Sequence, residues 1–484
     1  MSDIVLASIN AKWIHPSLAL RLIKANLGGL QDCCEILEFA LRQPLHEKTG
    51  PLLAARPRIL GLSVSIWNHR ATLELLKDLC EKWRCACEGA EKPVVVLGGP
   101  EVSYLPREAE IFRYADYVIR GEGETAFREL CEKLLGEKGE TETGGPQRSG
   151  VRFIDAPQAD LSVLKPAYYL YSDEDLRRKL VYVEASRGCP FGCEFCLSAA
   201  GDNSSGGDGG PREVREFPLE PFLAEMGGLV RRGGRTFKFL DRTFNLNIPR
   251  ALAIMEFFLK QIEAAPSLCV HFEMIPGNFP RELRDCLRRF PAGSLRLELG
   301  IQTFNPKTAA LIHRAGDPGS ELEILDFLGN ETKAIVHADL IAALPGEGLA
   351  SFGEGFDRLR AAGPAEIQLG ILKLLPGAPI ARHTAAWGMR YSAEPPYEAL
   401  ETAALPAADL DRLKNFARFW ELIMNRSPFP ELSARLFPPG APAFKPFMEL
   451  SDRLLERFGR NWGIDRERLK EGVEEYLGEN QLPD

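Results

Sequence analysis

The chain predicts an α/β protein in three parts: a doubly wound parallel sheet, a partial (β/α)6 barrel and a small helical C-terminal domain. Three observations carry this. Short apolar runs alternate with amphipathic stretches up to about residue 137, a second series of six such runs begins near residue 180, and only helical periodicity is left beyond residue 386. A chain of 484 residues is also too long for one ordinary core.

In the first part the runs Ile4–Ile9, Cys34–Phe39, Ile59–Val64, Val94–Leu97 and Tyr117–Ile119 read as strands, with Ser17–Leu27, Ala71–Trp83 and Glu124–Leu135 as helices between them. Strands separated by helical crossovers make a parallel sheet, Rossmann-like in its winding, whose ligand sits beyond the strands' carboxyl ends. Those ends are small-residue turns: Ser63-Val64-Ser65, Gly98-Gly99-Pro100-Glu101 and Gly121-Glu122-Gly123. Residues 137–150 lose apolar periodicity and collect Gly, charge and Pro, so residues 138–180 read as a linker and connecting segment.

Residues 181–385 read as the barrel, with strands Leu180–Ala185, Thr236–Leu240, Val270–Met274, Leu295–Gly300, Ala334–Ala343 and Glu366–Leu374. Six β/α units are too few for a closed eight-stranded TIM barrel, so an open TIM-type barrel is expected. Its helices include Leu219–Arg231, Pro249–Ala265 and Pro280–Phe290. Gly201–Pro211, rich in Gly and Ser, reads as a mobile loop placed where a lid belongs. Residues 386–484 carry the helical patterns Leu410–Met424, Phe447–Phe458 and Arg466–Tyr476.

Hydrophobic residues make up 45%, charged residues 26%, and the formal net charge is −9. That balance argues against a nucleic-acid partner, because it repels phosphate backbones. No basic, apolar leader opens the chain and no run of about 18 apolar residues follows, so neither secretion nor a membrane span is expected. Eleven cysteines in such a chain point to reduced thiols and metal ligands, and hence to the cytoplasm.

Cys189-Pro-Phe-Gly-Cys193-Glu-Phe-Cys196 sets three thiols directly after the first strand of the barrel. Iron–sulfur clusters are normally held by four thiolates, so three leave one iron open. A structural zinc would need a fourth ligand, His271 or Cys269, brought in by folding. A Cys193-x-x-Cys196 redox pair would instead open a helix in a small thioredoxin-like domain.

The Cys-x3-Cys-x2-Cys motif at the end of a first barrel strand resembles the radical S-adenosylmethionine (SAM) superfamily. That resemblance implies a [4Fe–4S] cluster on Cys189, Cys193 and Cys196, with SAM on the open iron cleaved by one electron to a 5′-deoxyadenosyl radical. An external electron donor such as flavodoxin or ferredoxin is implied as well. Phe195 resembles the aromatic residue packed near adenine. Asp241, in Leu240-Asp241-Arg242-Thr243-Phe244-Asn245, stands where the family places a Gly-Gly-Glu that is absent here. Glu298-Leu-Gly300-Ile-Gln302-Thr303 resembles the ribose-binding Glu-x-Gly-x-Gln-Ser element, and its oxygens suit a diol; a helix-capping turn is the competing reading. Asp339-Leu-Ile-Ala-Ala-Leu-Pro345-Gly346-Glu347 and Lys373-Leu-Leu-Pro376-Gly377 resemble later strand ends of the superfamily.

Placed before such a barrel, the first sheet resembles the cobalamin-binding domains of one large subgroup. The resemblance implies cobalamin contacts at Ser63, Ser65, Gly98, Gly99, Pro100, Glu101, Gly121, Glu122 and Gly123, since glycines permit close backbone approach. The Asp-x-His-x-x-Gly loop that supplies a cobalt ligand is missing, so base-off cobalamin without a histidine ligand is expected; His15 and His69 read as loop or helix-start residues. Cys33-Cys34 and Cys85-x-Cys87 read as structural thiols. The domain order is similar to a bacterial subgroup whose C-terminal domain has no assigned function. Methylation of an unactivated carbon, on a small-molecule or peptide substrate, is the leading expectation. The alternatives are a cobalamin-dependent radical rearrangement without methyl transfer, a transfer-RNA methylthiotransferase-like enzyme, and a non-catalytic cobalamin sensor or carrier.

Overall fold

The computed structural model describes residues 2–85, 92–136, 150–200, 213–314, 316–426, 428–437 and 440–479. The Gly201–Pro211 loop and Cys87 lie outside them. Contacts divide the chain into two compact units, residues 1–187 with 215–240, and residues 188–214 with 241–484.

The first sheet has six parallel strands: β1 (Ile4–Asn10), β2 (Cys34–Ala40), β3 (Ile59–Ser63), β4 (Val94–Gly98), β5 (Tyr117–Arg120) and β6 (Arg152–Asp155), in the order β2-β1-β3-β4-β5-β6. β1 is apolar at nearly every position because both of its faces are covered. Its residues alternate between two cores. Val5, Ala7 and Ile9 pack with Leu75 and Leu79 of helix α1 (His69–Cys85). Ile4 and Leu6 pack with Phe127 and Leu130 of helix α2 (Gly123–Gly136). That division between two faces is the doubly wound arrangement expected from the sequence. The sixth strand, β6, lies within what reads as a linker. Exposed Arg152 and Asp155 flank the half-buried Phe153 and Ile154, a short edge strand too brief to register as a period.

The second sheet is also six-stranded: β7 (Val181–Val183), β8 (Thr236–Phe239), β9 (Cys269–Met274), β10 (Leu295–Gln302), β11 (Ile335–Ala342) and β12 (Glu366–Ile371), ordered as in the chain. With its intervening helices this is the partial barrel predicted. Alternation is strict in β9 to β11: Val270, Phe272, Leu297, Leu299, Val336 and Ala338 are fully or almost fully buried, while His271, Glu273, Glu298, His337 and Asp339 share the opposite face.

Helices Ala407–Trp420, Pro430–Leu436, Phe444–Phe458 and Arg466–Glu479 follow, as the periodicity predicts, with Pro430–Leu436 added. Their core is aromatic, with Phe416 and Trp420 stacked at 5.8 Å and Phe447 set edge-on to both. A π-helical turn, Glu421–Asn425, aims Asn425 at edge strand β12, where its amide both donates to Ile367 O (3.0 Å) and accepts from Ile367 N (3.2 Å). One side chain thus caps a strand edge that would otherwise present unpaired backbone groups.

Candidate active site

Two sets of strand ends carry the candidate residues. In the first sheet, Val64 N donates to Gly98 O (2.8 Å) and Glu101 N to Val64 O (3.2 Å), which knits the turns after β3 and β4 together. Gly99 holds φ +107, and a Cβ there would lie 2.5 Å from Val64 O, so only glycine fits. Gly121 holds φ +86 with Ala156 O 2.8 Å from its would-be Cβ. Ser103 Oγ links the two turns, donating to Gly99 O (2.9 Å) and accepting from Gly121 N (3.2 Å). Ser65 N donates to Asn68 Oδ1 (2.7 Å), and Asn68 Nδ2 reaches back to Ile9 O (2.9 Å) and Ser63 O (3.2 Å). Pro100 opens a helical turn, and Gly98 lies at the end of β4, where a Cβ would sit in ordinary contact, 3.9 Å from Ile119 O.

The acids of these turns are engaged within the protein. Glu101 is buried and pairs with His69 Nδ1 at 2.8 Å. Glu122 accepts from Ala159 N (2.8 Å), Arg187 (3.2 Å) and Arg215, while Arg187 also meets Glu124 (2.7 Å) and Glu184 (3.0 Å). These contacts hold Glu122 below the usual carboxylate range despite its burial, chiefly through Arg215. His15 Nδ1 sits 2.8 Å from Tyr182 Oη on β7. In the segments that follow β1 and β3, Trp13, Ile14 and Trp67 are exposed at 50%, 39% and 55%. On the opposite side of the sheet, burial pushes the Cys34 and Cys131 thiols up to about 12, as structural thiols should be.

In the second unit the cysteines occupy an irregular loop. Gly188 opens it at φ +104, where a Cβ would meet Glu213 O at 2.5 Å. Cys196 N donates to Cys193 O (3.0 Å), folding the last two cysteines into a turn, and Cys196 Sγ accepts from Ser198 N (3.4 Å). All three thiols are half-buried, and burial raises the Cys189 and Cys193 thiols, with Arg314 opposing the rise at Cys193. Among the described residues no three His, Cys, Asp or Glu side chains converge on a single ion. Phe195, between Glu194 and Cys196 in the chain, is half-buried.

Asp241 is buried at the start of a segment pinned by Asn245, which exchanges hydrogen bonds with Ile275 (2.9 and 3.0 Å) and donates to Asn278 O (2.8 Å). Glu298 lies 3.1 Å from His271 Nε2. Gln302 ends β10 beyond a register shift at Gly300, with φ +69 and a buried Oε1 that has no hydrogen-bond partner among the described residues. Left-handed backbone at a non-glycine residue is costly and concentrates at functional sites. Neighbouring Thr303 donates to Glu347 Oε1 (2.9 Å), as does Ser351 (3.1 Å), and burial pushes the Glu347 carboxyl up to about 7.

Sequence reasoning missed Arg314 and Glu194. Arg314 contacts Cys193 Sγ at 4.0 Å, donates through Nε to Ile301 O (3.0 Å) and through Nη2 to Gly300 O. Glu194, inside the cysteine motif, is 2% exposed and meets His313, Arg382 and His383. Only its position between two cysteines could have drawn notice, because Arg382 and His383 stand 188 and 189 residues further on.

The family model of the B12 binding domain matches residues 4–131, and that of the radical SAM superfamily matches residues 183–359. The chain is 26% identical over 359 residues to the cobalamin-dependent radical SAM methyltransferase TokK of Streptomyces tokunonensis, covering 70% of this chain and 50% of TokK. It is 26% identical over 365 residues to 2-(S-pantetheinyl)-carbapenam-3-carboxylate methyltransferase of Streptantibioticus cattleyicolor, covering 69% of this chain and 50% of that one. The chain thus spans about half the length of these relatives. Among solved structures, the cobalamin-dependent SAM radical enzyme OxsB with aqua-cobalamin bound shares the fold at a TM-score of 0.66 and 14% identity, covering 99% of this chain and 75% of OxsB. The radical SAM methyltransferase TsrM from Kitasatospora setae follows at 0.58 and 17%, covering 80% and 76%. Among the described residues no helix is long and apolar enough to cross a membrane. The matched domains make cobalamin the cofactor of the first part, and SAM with a [4Fe–4S] cluster those of the second. The chain thus carries a B12 binding domain followed by a radical SAM superfamily domain.

Proposed function

We propose that the chain is a cobalamin-dependent radical SAM methyltransferase acting on an unactivated carbon, with Cys189, Cys193 and Cys196 as the cluster ligands. The carrying observation is the three-thiol loop following β7 of a partial barrel, in a chain that also holds a B12 binding domain. The donor set fits the cluster. A four-iron cube takes each thiolate on a separate iron, so three thiols in one loop can hold three irons and leave the fourth open. The first sheet fits cobalamin. Gly99 and Gly121 keep the backbone bare where a Cβ would strike a neighbour, and the exposed Trp13, Ile14 and Trp67 offer apolar surface to a large flat ring.

When bound, the reduced cluster supplies one-electron cleavage of SAM to a 5′-deoxyadenosyl radical, and cobalamin supplies a methyl group. This chain's residues bind and orient. Ser63, Ser65 and Gly98 through Glu101 would line the cobalamin tail, with Gly121, Glu122 and Gly123 closing the same edge and Glu122 acting through its arginine pairs. Neither His15 nor His69 is idle, since each already pairs with a neighbour, which favours base-off cobalamin without a histidine ligand. Gln302 has an acceptor available to a ribose hydroxyl, with Glu298 on the same strand, while Phe195 would pack against adenine and Asp241 would face the methionine amine. The substrate is a small molecule or peptide, and an external flavodoxin or ferredoxin delivers the electron.

Purified anaerobically and reconstituted, the protein should bind four irons and one cobalamin per chain and, with reductant, SAM and a substrate library, transfer methyl groups with release of 5′-deoxyadenosine. Release of the nucleoside with no methylated product from any cobalamin-loaded preparation would favour a rearrangement instead.

A further inference from the structure

We propose that Glu194 is the positioning residue of the cluster loop, fastening it through an ion-pair knot with Arg382 and His383 and so fixing the direction in which the open corner of the cluster faces. The inference rests on the cluster assignment made above. Between Arg187 and Leu197 the loop has no helix or strand to hold it, and its thiols are half-buried. Beside the Arg314 contact to Cys193, several of its ties to the rest of the chain meet at one residue. Glu194 N donates to Ile312 O (3.0 Å), Glu194 O accepts from Ile380 N (3.0 Å), and both carboxylate oxygens are engaged. Arg382 meets them as a fork, Nη2 on Oε1 at 2.5 Å and Nε on Oε2 at 2.9 Å; His383 Nε2 lies 2.9 Å from Oε2, and His313 Nδ1 lies 3.0 Å from Oε1.

A carboxylate 2% exposed is tolerated only where close cations and donors replace water, and the bidentate guanidinium fork is the most directional of those partners. His313 reaches its place from a left-handed backbone, φ +49, a strain that persists only where surrounding contacts over-determine it. Arg382 and His383 close the short helix Pro379–His383, so the loop is tied to the chain beyond β12. Glu194 stands in the motif between the ligand cysteines Cys193 and Cys196 and sets their orientation through the backbone.

The test uses full-length, anaerobically reconstituted protein with Glu194→Gln, Arg382→Gln and the double variant. Two readouts are followed: the rate at which a chelator strips iron, and the change that SAM induces in the EPR spectrum of the reduced cluster. Loss of one charge-assisted hydrogen bond predicts iron release faster by about tenfold in either single variant. It also predicts a broadened SAM-induced signal, and a double variant no worse than Glu194→Gln because the two residues act as one. Arg382 is 54% exposed, so Arg382→Gln carries the test should Glu194→Gln not fold. Variants that release iron and respond to SAM as the unaltered protein does would overturn the proposal. An unaltered protein that takes up no SAM-responsive four-iron cluster would overturn the cluster assignment itself, and the knot's role with it.

Discussion

The turns at the end of the first sheet and the cysteine loop of the second unit occupy equivalent places on two parallel sheets, yet they are built from opposite materials. The first is a backbone site: glycines at φ +107 and +86 keep it bare, Ser103 joins its turns, and its acids turn inward to His69, Arg187 and Arg215. The second is a side-chain site, in which thiols, a guanidinium and a buried carboxylate do the holding. A site made of backbone recognises a large ligand by shape and close approach. A site made of side chains holds a small inorganic one by bonds.

The comparison breaks most plainly at the cysteines. Alanine at Cys189, Cys193 or Cys196 should abolish cluster-bound iron and SAM cleavage while leaving cobalamin uptake intact, as quantitative iron analysis and the cobalamin absorption spectrum would report. The converse change, Gly99→Val, forces a side chain against Val64 O and a disfavoured φ. It should cost about 3 kcal/mol in denaturant unfolding and weaken cobalamin binding at least tenfold, with iron content unchanged.

Titration sharpens the contrast, because an abnormal acid sits near the side-chain site. Burial raises Glu347 from 4.5 to about 7, so the folded chain keeps a proton that the unfolded chain releases above pH 4.5. The stability this group contributes is therefore complete below pH 4.5 and is lost as pH rises through 7. Against the unaltered protein, Glu347→Gln should flatten unfolding free energy over that window by up to about 3 kcal/mol. The smallest effect is expected at Gln302: its alanine variant loses one hydrogen bond to ribose, raising the KM for SAM about tenfold or less while cobalamin affinity stays put.

How much of this was legible in the sequence follows the same division. Two sheets, the winding of the first and the helical tail were readable because periodicity and small-residue turns are local signals. β6 was not, since four residues between charged and glycine-rich stretches give no period. The three cysteines stand out in the sequence by their spacing. Glu194, Arg314 and Glu347 did not announce their roles, because a buried charge is explained only by the partner folding brings to it. Glu122 shows a related limit: Gly-Glu-Gly marks the turn correctly, but nothing in that triplet reveals that Arg215, far along the chain, takes the carboxylate.

The most direct measurement is the yield of 5′-deoxyadenosine from anaerobically reconstituted, full-length protein given SAM and a low-potential reductant, run beside the Cys193→Ala variant. Nucleoside formed by the unaltered protein in step with its cluster content, and none by the variant, is the result predicted. Equal yields from both, or none from a protein carrying four irons, would contradict the assignment of a SAM-cleaving cluster to this loop.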